Sequence, residues 1–546
     1  MPSKTASADI DPEFLDRPKL AADVSVHEPA EEGGPWLIQQ GQRKYFRVEA
    51  DLARLVLALN GTRDHALLAD ILGTPWTVEA VGTAVDTLAK GHLLDNGEPV
   101  RTSNRWVKFV PPLTVQFTLL RPDGLLKLAS PLVRLLSGRA GRVTALVVAL
   151  GGLLALAAQS REVGAVLGRP LPLSTYLVVV AGILATTAIH EFGHGAVLSH
   201  YGGRPARMGV MLFYLSPAFF CDVSDGWRLP RKEQRVAVAL AGIATQVVIA
   251  GATATASPFF HGMARDGLIV FAIAAYTSGL LNLAPFVKLD GYIALMSHLD
   301  IPHLRDHTLT DARRWIARVL FGGSYERRLP ELRWAVPFGL ACMVFPMYLI
   351  ATGVRMWGDS LQRMGFFGSW LLLGGLGYLL YHLGRGAGRL VRDARAGGAR
   401  PLRIGVVTLF LAAAATAVLG LVKVPYTVTG GYAVRAGGQV ELLLPLSADL
   451  SVIRENTAVR LIRAGAAVRT EIGQAVVADA RGTETTAPLS AFLPVRTDGL
   501  PLPAQGYRLT TAVVPEDEVG VAEVASGDRP LGAWLYAHYV APALRW

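Results

Sequence analysis

Cysteine is almost missing from this chain of 546 residues. The two present, Cys221 and Cys342, lie in apolar surroundings and are too few for a disulfide framework, so both read as core residues. Charge is scarce as well: 18% of the residues are charged against 51% hydrophobic, and the mean hydropathy is +0.36. That balance argues against an ordinary soluble enzyme and points to a membrane protein. The opening stretch, Met1 to Val26, has no apolar segment and no small-residue cleavage site, so no secretory signal is expected and the N-terminus is placed in the cytoplasm. Acidic residues are in turn what the later chain lacks. Residues 1–100 hold 9 Lys and Arg against 16 Asp and Glu, a net of −7; with +10 for the whole chain, the remainder carries +17.

Residues 1–100 read as a small soluble domain. Trp36–Gln40 and Tyr45–Val48, with a turn at Gly41-Gln42, pattern as a β-hairpin. Three groups at helical spacing follow: Leu52, Leu55, Val56 and Leu59; Ala66, Leu67 and Ile71; Val78, Val81, Val85 and Leu88. A hairpin with three helices is a winged-helix-like α+β plan, which raises nucleic-acid binding. The negative charge argues against nucleic acid, because phosphate contacts need a basic face. A guest peptide strand added at the hairpin edge fits better. The order of elements, opening on Arg17-Pro18-Lys19-Leu20, resembles the PqqD-like precursor-recognition domains of ribosomal peptide natural-product pathways. A regulatory or merely stabilising cytoplasmic domain is the alternative.

Residues 101–142 read as an amphipathic linker, with Val107 to Leu136 lying on the membrane surface. Apolar runs near the 20 residues that a crossing helix needs then appear at about 143–160, 172–200, 235–257, 267–296, 334–357, 366–386 and 402–424. The expectation is a polytopic α-helical membrane protein with about seven spans. In this expectation residues 143–300 form a membrane core and 301–424 add further helices and basic cytoplasmic loops. Arg207 to Ser224 is too interrupted to span and reads as a re-entrant hairpin or strand beside the core helices. Basic residues gather in alternate connections, among them Arg134, Arg139, Arg142, Arg204, Arg228, Arg231, Arg389 and Arg392. By the positive-inside rule these face the cytoplasm, which puts residues 425–546 outside. That tail changes character: Tyr426–Val428, Gln439–Leu444, Ala458–Ile462 and Tyr507–Ala512 are strand-like, and a small all-β domain is expected.

Inside the second apolar run stands His190-Glu191-Phe192-Gly193-His194. An ionisable group in a membrane helix costs ~2.5–3.5 kcal/mol on insertion scales and marks function. On a helix the two histidines lie one turn apart on one face, the spacing for two ligands of one Zn²⁺, with Glu191 placed as general base. Two histidines bonded to nearby carbonyls are the bland alternative. A hydrolytic zinc site needs a third protein ligand. Asp290, in Asn282-Leu283-Ala284-Pro285-Phe286-Val287-Lys288-Leu289-Asp290-Gly291, is buried in apolar sequence and needs a partner, for which a cation is the obvious choice; Pro285 and Gly291 let the segment break and swing it inward. A helix-capping Asp is the alternative. His200 falls on another face, His303 and His307 read as solvated surface, and Asp222 and Asp225 either line a water path or cap turns.

His-Glu-x-x-His followed by Asn-x-x-Pro-x-x-x-x-Asp-Gly, each in a long apolar run, resembles the site-2 protease family of intramembrane zinc metalloproteases, in its bacterial peptide-zinc-metalloprotease branch. The resemblance covers about residues 140–300 and lacks the PDZ-like insertion of many relatives. It implies one zinc held by His190, His194 and Asp290, Glu191 as general base, and Asn282 as a polar group that stabilises an oxyanion or holds substrate. It also implies a multi-pass protein of the bacterial cytoplasmic membrane, whose partners are the lipid bilayer and either a precursor peptide or a membrane-protein substrate. Three functions follow in order of preference. The first is removal of a leader from a ribosomally made precursor peptide. The second is regulated cleavage of a single-span protein or signal-peptide remnant, and the third is a non-enzymatic role in peptide export or immunity.

Overall fold

The computed structural model describes residues 15–29, 36–40, 44–95, 107–110, 114–120, 122–213, 216–363, 366–446, 448–492, 495–496 and 501–544; the turn expected at Gly41-Gln42 lies outside them. The chain divides into two compact units. The first joins Met1–Leu146, Ala185–Gln246 and Ile293–Asp300; the second joins Val147–Leu184, Val247–Tyr292 and Ile301–Trp546.

The first unit opens on β1 (Val24–His27), β2 (Trp36–Gln40) and β3 (Lys44–Val48), an antiparallel sheet in that order. Ile38 sits opposite both Val26 and Phe46 and is fully buried. Helices α1 (Ala50–Ala58), α2 (His65–Leu72) and α3 (Val78–Lys90) cover it. Side chains cap two of them: Asp64 accepts the Leu67 N–H at 2.8 Å and Thr77 Oγ1 that of Ala80 at 3.2 Å. The second helix differs from expectation. Leu68 and Leu72 are buried, while Leu67 and Ile71 are 46% and 50% exposed. Both pairs have the same i, i+4 spacing, so periodicity alone does not choose between them; packing against Leu55, Val56 and Val85 does.

The stretch read as a linker is more ordered than that. β4 (Val107–Val110) and β5 (Thr114–Leu120) join β7 (Met208–Phe213) and β8 (Ser216–Cys221) in an antiparallel sheet of order β4-β5-β7-β8. The alternation Val115, Phe117 has strand period, and its partners Leu212 and Val210 lie about ninety residues on, out of reach of a local reading. Only α4 (Asp123–Ser137) keeps the amphipathic character, with Leu128, Leu132 and Leu135 exposed as on a helix lying in a membrane surface.

Helices α5 (Arg139–Ala158), α6 (Ser160–Leu167), α7 (Leu173–His200, after the two-residue strand β6, Leu171–Pro172), α8 (Lys232–Ala256), α9 (Gly262–Leu283), α10 (Asp290–Leu299), α11 (Leu304–Phe321), α12 (Ala335–Arg363), α13 (Phe366–Ala396) and α14 (Pro401–Leu421) follow. Among the described residues, seven helices are long and apolar enough to cross a membrane: α5, α7, α8, α9, α12, α13 and α14. The expected run 267–296 breaks at Ala284–Leu289 into α9 and α10, around Pro285.

A two-arginine clamp belongs to the first unit. Arg47 of β3 donates to both oxygens of Asp300, at 2.8 and 2.6 Å, and Arg235 at the start of α8 donates to the same carboxylate at 2.6 Å. Asp300 has φ +57, a conformation that Asp tolerates better than most residues. The bond from Arg47 is the largest influence holding its carboxyl below the usual range.

In the second unit the tail is a β domain. Strands β9 (Lys423–Val434), β10 (Val440–Pro445), β11 (Ala458–Ala464), β12 (Arg469–Val477), β15 (Pro501–Thr511) and β16 (Val519–Pro530) pair antiparallel in the order β10-β9-β16-β11-β12-β15. β10 pairs back onto β15 and closes the barrel, while β13 (Thr483–Pro488) hangs on β15. Inward residues Tyr432, Leu442, Leu444, Leu461 and Val477 fill it, all fully buried. The barrel is tied to the helices by β14 (Val495–Arg496) on β6 and by the Ala466 N–H on the Arg169 carbonyl.

Candidate metal centre and catalytic site

α7 carries His190, Glu191 and His194 in a helix whose other residues are mostly apolar. The helical spacing stacks the imidazoles edge to face, with centroids 4.9 Å apart, and both are only 5% exposed. Their Nε2 atoms are 3.2 Å apart. Two nitrogens at zinc-ligand distance from one tetrahedral ion stand about 3.3 Å apart, so the spacing is that of a shared ion.

α8 sets the chemistry of the pair. His194 Nδ1 lies 2.7 Å from the Val238 carbonyl. A carbonyl can only accept, so Nδ1 carries the proton and the Nε2 lone pair is left for a metal. One turn on stands Gly242. A Cβ there would run into His194 Nε2 and come within 2.5 Å of His190 Nε2; only glycine keeps this space open.

Glu191, one residue from His190, turns to the adjacent side of the helix and accepts the Cys221 backbone N–H at 2.9 Å through Oε2. β8 therefore restrains the carboxylate. The segment expected to be a hairpin or strand beside the core helices is the β7–β8 hairpin, and its last residue touches Glu191.

Asp290 opens α10 just beyond the break. A Cβ on the next residue, Gly291, would strike the Leu283 carbonyl, so glycine is needed where the chain folds back on the end of α9. The candidate ligand atoms of His190, His194 and Asp290 all lie within 4.8 Å of one another, the one such group of three or more among the described residues. Two imidazole nitrogens and a carboxylate oxygen are a donor set that suits zinc, and three protein ligands leave a fourth position open. Asn282 sits half-buried on the last turn of α9, outside that group.

The remaining candidates separate clearly. Asp222 accepts from the Ser224 hydroxyl at 2.7 Å and Asp225 accepts the Arg204 N–H at 2.8 Å, so both brace turns. His200 is exposed beside Tyr201, and His303 is 79% exposed at the start of α11. Gly242, the Val238 carbonyl and the Cys221 N–H were not singled out from the sequence. A glycine inside the span Ala239-Leu240-Ala241-Gly242 was the only local signal for them.

The chain has distant relatives. The "Putative zinc metalloprotease Rip2" of Mycolicibacterium smegmatis is 28% identical over 176 residues, 27% of this chain and 66% of that protein. The protein of the same name from Mycobacterium tuberculosis is 28% identical over 159 residues, 24% of this chain and 60% of the relative. The chain thus spans 60% to 66% of these relatives' length. No family model matches it, and no solved structure is a significant match. The chain is distantly similar to proteins named as zinc metalloproteases, over about a quarter of its length.

Proposed function

We propose that the protein is an intramembrane zinc metalloprotease of the site-2 protease type, with His190, His194 and Asp290 as metal ligands. The observation that carries this is the pair of Nε2 atoms, 3.2 Å apart, facing the space that Gly242 leaves open. Zinc held there supplies Lewis acidity to polarise a peptide carbonyl and acidify a water. Glu191 takes the proton of the attacking water as its oxygen bonds to the carbonyl carbon, then gives it to the leaving nitrogen as the C–N bond breaks. The Cys221 N–H holds Oε2, which keeps the carboxylate aimed. Asn282 stabilises the oxyanion or holds the substrate.

The substrate reading is leader removal from a ribosomally made precursor peptide, with the PqqD-like, winged-helix-like N-terminal domain as the receptor. Two features support it: the acidic charge of residues 1–100, and the clamp that joins Arg47 of that domain to Arg235 of α8 through Asp300. In this reading the domain lies in the cytoplasm and the barrel outside the cytoplasmic membrane. A trap tests it: tagged Glu191→Gln is extracted in mild detergent and its retained peptides are identified by mass spectrometry. Enrichment of one short precursor with its leader intact supports maturation. Enrichment of single-span proteins replaces it with regulated proteolysis, and an empty trap with zinc bound overturns the protease reading.

A further inference from the structure

Gln246 lies in α8, a helix fit to cross a membrane, and is only 2% exposed. Its Oε1 is buried and has no hydrogen-bond partner. In hydrocarbon an unsatisfied amide is costly, and buried groups of this kind are rare in native proteins. The threonines of the same helix show the ordinary solution. Thr245, Thr253 and Thr255 each donate their hydroxyl to the carbonyl four residues back, at 2.8, 2.8 and 2.9 Å. Gln246 does not.

Its position says what it awaits. Gln246 is four residues beyond Gly242, so the two share one face of α8, about 6 Å apart along the axis. Gly242 is the residue whose missing side chain leaves room beside both Nε2 atoms. A glutamine side chain is long enough to cover that distance. The unmet amide thus stands one turn from the candidate metal centre, on the side that faces it.

We propose that Gln246 binds the backbone of the peptide substrate beside the scissile bond; this rests on the protease reading above. An amide presents a donor and an acceptor side by side, the complement of one peptide unit. A peptide drawn between membrane helices loses the water on its own N–H and C=O groups. Each partner therefore satisfies the other, and the cost borne by the free protein is recovered only when substrate is present.

The test uses the full-length protein with zinc bound, and the variants Gln246→Leu and Gln246→Met, two apolar side chains of similar volume. The expected result is kcat/KM on a membrane peptide lower by about tenfold to a hundredfold, with zinc affinity unchanged and the Tm of the substrate-free protein equal or higher. A series of substrates N-methylated one residue at a time adds a second readout. One methylation should cost wild type about as much as Gln246→Leu does, and cost the variant nothing more. A lower Tm with unchanged kcat/KM in both variants would make Gln246 a structural group and overturn the proposal. Zinc-loaded wild type that cleaves no peptide would instead overturn the protease reading, and this proposal with it.

Discussion

Gly242→Ala is the sharpest perturbation of the metal centre, because it adds one methyl group and touches no ligand. The new Cβ would lie 2.5 Å from His190 Nε2 and 2.6 Å from its Cδ2, and closer still to His194 Nε2. Carbon contacts normally settle at about 3.5–4.0 Å, so the rings must retreat by about 1 Å. Metal–ligand distances tolerate about 0.2 Å. The expected loss in zinc affinity is therefore at least about a hundredfold, or ~2.8 kcal/mol. The helix itself gains, since alanine is better than glycine by up to ~1 kcal/mol in a helix interior, so the metal-free protein should keep its fold. Competition with a chromophoric chelator measures the affinity, and circular dichroism the fold. Gly267→Ala is the control, because its Cβ would meet only Thr175 Cγ2 at 3.7 Å, an ordinary contact. Wild-type zinc affinity in Gly242→Ala would refute the reasoning that the two Nε2 atoms face a metal across this glycine.

Glu191→Gln should keep zinc and lose at least about a hundredfold in kcat, the usual scale for a general base, as read by single-turnover peptide cleavage. Asp290→Ala should lower zinc affinity without unfolding α9 or the barrel, which equilibrium dialysis and circular dichroism would separate. Arg47→Ala and Asp300→Asn should each release residues 44–48 to faster amide hydrogen exchange, and the double variant should add little, since both break one clamp. Because Arg47 holds the Asp300 carboxyl below its usual range, that clamp is fully present above the unfolded carboxylate pKa of ~3.9 and is lost as pH falls through the lower folded value. Exchange in wild type should therefore rise toward that of Arg47→Ala only as pH falls below the usual carboxylate range, and an unchanged profile would count against the clamp. Leu442→Ala, at a fully buried barrel position, should destabilise the protein by about 2–5 kcal/mol in denaturant unfolding.

Much of this architecture is local and was legible in the sequence. Length and apolarity mark seven helices fit to cross a membrane among the described residues, because a bilayer sets the number of residues needed. The i, i+4 spacing of His190 and His194 puts two imidazoles on one face by covalent geometry alone. Pro285 marks where the run 267–296 breaks, since it removes a backbone donor. Strand patterning marks the tail as β.

Contacts between residues distant in the chain were decided only by the tertiary structure. Leu68 and Leu72, rather than Leu67 and Ile71, face the N-terminal core, because equal spacing leaves the choice to packing. The residues read as a linker become strands because β5 finds β7 across some ninety positions. The pairing of β10 with β15 closes the barrel, and Arg47 meets Asp300 across more than 250 residues. Gly242 carries no signature of its own; it matters through the two imidazoles that stand opposite it. A sequence by itself determines helical spacing, apolar length and chain breaks, which follow from covalent geometry and from transfer to hydrocarbon. Which side chains meet depends on how the elements pack, and that no single stretch of chain contains.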